Sequence, residues 1–102
     1  MPMFQITIIP ITGKTNIGVS DYIAEIIQFL KESKADYTLT PTATVVNCDT
    51  IEECFATMYK MHTLLFDRHN LPRIITNIMI DDRRDIKATP QDKIRDVEDK
   101  LI

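Results

Sequence analysis

Between Phe4 and Ile11, Phe4, Ile6 and Ile8 fall on one face of an extended chain and Gln5, Thr7 and Ile9 on the other. This alternation is that of a strand with one buried face. After the loop TGKTNIG the period changes: Ile23, Ile26, Ile27 and Leu30 recur at helical spacing, which predicts a helix capped at Ser20 or a neighbour and running to about Ser33. Two short β-like runs follow, DYTLT and TATVVNC. Pro41 separates them, and its fixed φ and missing N–H suit a hairpin connection. Thr50 and Glu53 stand at capping-box spacing and open a second helix with Ile51, Phe55, Met58, His62 and Leu65 on one stripe. The β-branched run Arg73 to Asp82 predicts a long last strand. Thr89 and Pro90 then begin a terminal helix lined by Ile94, Val97 and Leu101.

The order β-α-β-β-α-β with an extra C-terminal helix predicts an α+β fold of the ferredoxin-like kind, a four-stranded antiparallel sheet with two helices on one face. A single domain over residues 1–102 is expected. The second face of that sheet would present Gln5, Thr7, Ile9, Asn77 and Met79. That mixture is too apolar to be wholly wet and too polar for an ordinary core, so it predicts self-association, a ligand, or both.

Charge narrows the partners. A formal net charge of −3 and a pI near 5.2 argue against nucleic acid, whose phosphate backbone needs a net basic face. The opening MPMFQITIIPI lacks a basic leader region, and no apolar run reaches membrane-spanning length. A cytoplasmic protein with no membrane partner is expected. Cys48 and Cys54, with no CxxC and no further cysteine, read as reduced thiols.

The candidate chemistry is sparse. Gly13-Lys14-Thr15 invites a phosphate-loop reading, but that motif needs a glycine where Ile8 stands. His62 has the intrinsic pKa of a base, yet it shares the spacing of Met58 and Leu65, and no nucleophile is placed beside it by sequence. A hydrogen-bonded inward histidine is the simpler reading, and His69 reads as a solvated helix-end residue. Asp81 and Asp82 point to opposite sides of a strand and have no second carboxylate cluster, so no metal site is expected. Asp81 to Asp85, reading DDRRD, is expected to be an ion-pair network, in which each exposed pair contributes only about 0–1 kcal/mol. The polar face of Asp92, Arg95, Asp96, Asp99 and Lys100 is a solvated one.

Together the stretches IIPI, GVSDYIAEII, TLTPTATVV, KMHTLLF and IDDRRDIKATPQDKIRDVEDKL resemble the small thiamine-binding protein family of the YkoF-like superfamily. The resemblance covers almost the whole chain in the same order. It implies a ferredoxin-like domain that pairs through its sheets as a homo-oligomer, a dimer or a dimer of dimers. It also implies binding of thiamine or its hydroxymethylpyrimidine moiety without turnover, and no cofactor. The implied ligand set is Thr7, Thr42, Thr44, His62, Asn77 and Asp82: short neutral groups meet an aminopyrimidine's donor and acceptors, and an acidic residue favours a thiazolium. Where the family often has Gly-Thr after the hairpin turn and Glu-Gly at the strand end, this chain has Ala43-Thr44 and Asn47-Cys48, a departure that would alter specificity if this edge shapes the pocket. Two other functions compete with this one: a structural or regulatory oligomer without a small-molecule ligand, and an enzyme using His62 with Asp82.

Overall fold

The computed structural model describes residues 1–13, 18–85 and 89–101. Its elements, in chain order, are β1 (Met3–Ile11), α1 (Ser20–Glu32), β2 (Asp36–Leu39), β3 (Thr44–Asn47), α2 (Ile51–Arg68), β4 (Arg73–Asp81) and α3 (Pro90–Glu98). The four strands form one antiparallel sheet in the order β2-β3-β1-β4. This is the α+β, ferredoxin-like arrangement that the element order predicts.

The register assigns every strand residue to a face. Gln5 is paired with Met79, Thr7 with Asn77 and Ile9 with Ile75 on one face, while Phe4, Ile6 and Ile8 point to the other with Ile80, Ile78 and Thr76. On the latter face Phe4, Ile6, Ile8, Val46 and Ile74 meet Ile26 and Leu30 of α1 and Cys54, Met58, Met61, Leu64 and Leu65 of α2 in a buried core. Each fully buried side chain of Leu or Phe size stabilises by about 1.5–3 kcal/mol, so this layer holds the fold. Both helices lie on one side and Gln5, Ile9, Asn77 and Met79 are exposed on the other.

Backbone direction follows from one contact. The Pro2 carbonyl accepts from the Cys48 N–H at 3.0 Å, one step beyond the Met3–Asn47 pair. Even-numbered residues of β1 therefore aim their N–H and C=O at β3, and odd-numbered ones aim theirs at β4. By the same alternation, Ile74, Thr76, Ile78 and Ile80 of β4 aim their backbone groups out of the sheet, at its free edge.

Helix ends show where local rules held. α1 has Val19 at its N-cap with no side-chain hydrogen bond, so neither Ser20 nor its neighbour caps it; Asp21 in the first turn complements the helix dipole instead. At its far end Lys34 has φ 57, the left-handed position that usually favours glycine. In α2 the Thr50 hydroxyl accepts from the Glu53 N–H at 3.1 Å, while the Glu53 carboxylate accepts from Asp49 N–H at 3.2 Å rather than from Thr50. α3 opens with a reciprocal capping box between Thr89 and Asp92.

Two apolar stripes differ from expectation. On α2 the buried stripe is Cys54, Met58, Met61 and Leu65, and Phe55 stands outside it. On α3 Ile94, Val97 and Leu101 do line one side, but all three are exposed.

Candidate functional site

β1 has nine residues and β3 only four, so β1 outruns its neighbour. Their ladder stops at the Ile6–Thr44 pair, and β1 continues to Ile11 paired with β4 alone. Beside this overhang the chain leaves a cavity of about 260 Å³. Its floor is Ile6 to Pro10, its walls are the hairpin turn Leu39 to Thr44, and Val19, the N-cap of α1, closes one end with Ile23 of that helix.

The backbone of the overhang faces this space. Ile8 directs its N–H and C=O toward the missing β3 partner, and Pro10 directs only a carbonyl there because it has no N–H. Proline is tolerated in this strand for that reason. The hairpin turn is held by Thr40, whose N–H donates to the Ala43 carbonyl at 2.8 Å and whose hydroxyl accepts from the Ala43 N–H at 3.1 Å. Pro41 pre-sets the turn. Thr7 Oγ1 donates to the Thr42 carbonyl at 2.9 Å, joining floor to wall. Thr44 is 6% exposed and is the buried polar side chain among the described residues. The cavity is thus an apolar slot with a few hydroxyl and backbone groups, a composition suited to a flat heterocycle.

Of the six residues expected to bind ligand, three line this cavity: Thr7, Thr42 and Thr44. Asn77 is the cross-strand partner of Thr7 on the open face. His62 and Asp82 lie apart from it. His62 is half-buried between α2 and β4, with Nδ1 sharing a hydrogen bond of 2.6 Å with Thr76 Oγ1 and its ring edge-on to Phe66. Asp82 follows the end of β4, beside Met1 and Pro2, at the opposite end of β1 from the cavity. Six strand steps separate Thr76 from Asp82, roughly 20 Å, so His62 and Asp82 do not form a catalytic pair within one chain.

The charged run has its own order. Arg84 pairs with Asp82 at 2.9 Å, Arg83 pairs with Asp85 at 2.7 Å, and Lys93 of α3 contacts Asp81. The hydrogen bond from Arg84 holds the Asp82 carboxyl below its ordinary range. Among the described residues no group of three or more His, Cys, Asp or Glu side chains is arranged to hold a metal ion. Lys14 and Thr15 of the glycine-lysine-threonine motif lie outside the described residues.

His69 does more than a solvated helix end. Its Nε2 contacts the Glu25 carboxylate at 2.6 Å, Arg68 reaches the same group at 3.5 Å, and Tyr22 stands edge-on to the ring, which ties the end of α2 to α1. Cys48 and Cys54 are both free and buried. No described helix is long and apolar enough to cross a membrane.

Sequence reasoning read Pro41 as the hairpin connection but did not place it, Thr40 or the floor residues Ile8 to Pro10 at a binding site.

Comparisons with known proteins agree with this architecture. The family model described as thiamine-binding protein matches residues 4–98. A UPF0045 protein of Staphylococcus xylosus is 41% identical over 105 residues, covering 99% of this chain and 95% of that one. The UPF0045 protein YqgV of Bacillus subtilis is 38% identical, covering 99% and 98%. Among solved structures, a hypothetical protein of Methanocaldococcus jannascii superposes with a TM-score of 0.79 at 20% identity, covering 95% of both chains. A Thermotoga maritima protein provisionally assigned to thiamine biosynthesis or salvage gives a TM-score of 0.74 at 17% identity, covering 94% and 97%. The two structural likenesses speak for the fold, and the match over residues 4–98 speaks for the family: this chain belongs to the thiamine-binding protein family.

Proposed function

We propose that this protein binds thiamine, or its hydroxymethylpyrimidine moiety, without altering it, and that the cavity beside the β1 overhang receives the pyrimidine. The observation that carries this reading is the coincidence of family membership with an apolar slot that Thr7, Thr42 and Thr44 line. At about 260 Å³ the slot lies just under the roughly 300–1,000 Å³ typical of sites for larger ligands. One ring fits such a space better than two, so the thiazolium would project toward solvent. The exocyclic amine and ring nitrogens of an aminopyrimidine find acceptors and donors in Ile8, Pro10 and the threonines. Asn77, on the open face beside Thr7, supplies an amide at the margin.

Binding without turnover fits the site. Among the described residues no nucleophile and base line the cavity together, and His62 is held by Thr76 on the far side of β1.

The protein acts as a homo-oligomer in this reading, a dimer or a dimer of dimers. Ile9, Ile75 and Met79 are exposed on the uncovered sheet face, and apolar side chains so grouped favour association. Native mass analysis of the protein as purified tests ligand and assembly together. An adduct with the mass of a hydroxymethylpyrimidine or thiamine, on an oligomer, is the expected result. Protein that stays ligand-free after incubation with either compound contradicts the binding reading, and favours an oligomer whose role is structural.

A further inference from the structure

Past the Ile6–Thr44 pair, the β1–β3 register would bring Thr42 opposite Ile8. No ladder bond forms there. Thr42 belongs to the turn, and its carbonyl accepts from the Thr7 hydroxyl at 2.9 Å. Ile8 turns its N–H and C=O away from β4, as the other even-numbered residues of β1 do. Among the described residues neither group has a backbone partner. Yet Ile8 is only 8% exposed, and buried backbone groups are rarely left unpaired in native proteins. Pro10, the next residue on that side, adds a carbonyl and no N–H. The hydroxyls of Thr7 and Thr40 donate to the Thr42 and Ala43 carbonyls, so their protons are committed within the turn. The backbone of the floor therefore reads, from the ladder end outward, as one donor followed by two acceptors.

We propose that the backbone of Ile8 selects the ligand by its ring edge: the site takes a flat heterocycle with a ring nitrogen beside an exocyclic amine, and holds it where β3 lacks a residue. The inference rests on the pyrimidine reading above and adds the contacts, the orientation and the ligands that are refused. In an antiparallel strand the N–H and C=O of one residue point the same way, so a single flat edge engages both. The ring nitrogen accepts from the Ile8 N–H, and the amine donates to the Ile8 C=O. Because N–H precedes C=O along the chain, this pairing has one sense. The methyl-bearing carbon of hydroxymethylpyrimidine, next to the ring nitrogen, lies on the Ile6–Thr44 side, where β3 fills the space. The carbon on the other side of the amine, which carries the hydroxymethyl group or the thiazolium bridge, lies on the Pro10 side, past the end of the ladder. An oxo analogue, with a carbonyl in place of the amine and a proton on the ring nitrogen, offers the reverse pattern. It meets both Ile8 groups only when turned over, which drives its hydroxymethyl group toward Thr44, a side chain 6% exposed.

Ligand analogues test this on the wild-type protein. In calorimetry hydroxymethylpyrimidine should bind about tenfold or more tightly than its oxo analogue, and by a similar margin over the analogue with hydrogen in place of the amine. Thiamine, extended on the Pro10 side, should bind about as well as hydroxymethylpyrimidine. A compound lengthened at the methyl-bearing carbon should not. In amide NMR spectra the Ile8 resonance should move downfield on saturation, as an N–H does when it gains an acceptor. Replacing Ile8 by its α-hydroxy acid exchanges the N–H for an ester oxygen, keeps the side chain in the core and removes no N–H from the β1–β4 ladder. That protein should bind hydroxymethylpyrimidine about tenfold more weakly. If the ester protein fails to fold, the analogue series and the Ile8 resonance decide.

Equal affinity for the oxo analogue, saturable binding that leaves the Ile8 resonance unmoved, free acceptance of the lengthened methyl position, or a folded ester protein that binds like wild type would each overturn the proposal while pyrimidine binding stands. Absence of binding by hydroxymethylpyrimidine, its analogues and thiamine alike would remove the pyrimidine reading and this inference with it. The two failures therefore give different results.

Discussion

The Thr7 hydroxyl donates to the Thr42 carbonyl at 2.9 Å and thereby ties the middle of β1 to the β2–β3 turn across 35 positions of sequence. The strand ladder has already ended at Ile6–Thr44, so this bond continues the attachment that the missing β3 residues would have made.

Thr7→Val is expected to loosen the turn without unfolding the sheet. Loss of one hydrogen bond of this kind costs about 0.5–1.5 kcal/mol. Hydrogen exchange should show faster exchange at the Thr40 and Ala43 amides and unchanged protection at Phe4 and Ile6. Equal protection throughout would mean that the turn stands on its own.

Particular residues explain how far the sequence could be read. Phe4, Ile6 and Ile8 announced a strand with a buried face because alternation with period two has one geometric solution, and the register bears it out. Phe55 misled because it stands four residues after Ile51 and three before Met58, at helical spacing, while Cys54 sits about 100° around the helix from it; the pattern of a helix rich in apolar residues does not say which of two overlapping stripes meets the sheet. Ile94, Val97 and Leu101 were correctly grouped, yet periodicity cannot report whether anything covers a stripe. Thr7, Thr42 and Thr44, which line the cavity, were expected because short neutral side chains match an aminopyrimidine's donor and acceptors. Ile8 and Pro10 were not, because what they offer is backbone. Asp82 stands at the opposite end of β1 from the cavity and His62 stands across β1, on the β4 side at Thr76, placements that no local pattern encodes.

The cysteines should be inert in the native state. Burial pushes the Cys48 thiol up to about 12 from an ordinary value of 9.0, and burial raises Cys54 as well. At pH 8 the Cys48 thiolate fraction is then roughly a thousandfold smaller than for a free thiol. Iodoacetamide should label neither residue in folded protein and both in denaturant. Because the folded state holds a proton that the unfolded state releases above pH 9.0, stability should be fully present below that value and fall as pH rises toward 12.

Glu25 gives the opposite slope. The hydrogen bond from His69, with Arg68 nearby, lowers its carboxyl from the ordinary value of 4.5. The unfolded state therefore binds the proton first as pH falls, and the contribution present above pH 4.5 is lost on acidification through the lowered value. For a partly exposed cluster the gain is about 0.2–1 kcal/mol. Thermal denaturation of Glu25→Gln should show a small loss near neutrality that shrinks in acid.

Thr89→Ala removes the hydroxyl that accepts the Asp92 N–H at 3.1 Å and should cost about 1 kcal/mol. Since α3 has little apolar cover, that loss should appear as fraying of α3 alone. Faster exchange confined to residues 92–99 is the expected result, and a cooperative loss of global stability would mean that α3 is packed against the core.

Titration calorimetry of hydroxymethylpyrimidine and thiamine into wild type and Thr44→Val tests the central claim most directly. Thr44 is buried at the cavity wall. Replacing its hydroxyl by a methyl group leaves a ligand polar group unpaired, at about 1–3 kcal/mol, or roughly 5- to 150-fold in affinity. The account predicts saturable heat with both ligands, no conversion of either, and weaker binding of both to Thr44→Val. No heat with either ligand at high protein concentration, or equal affinity in the variant, would contradict it.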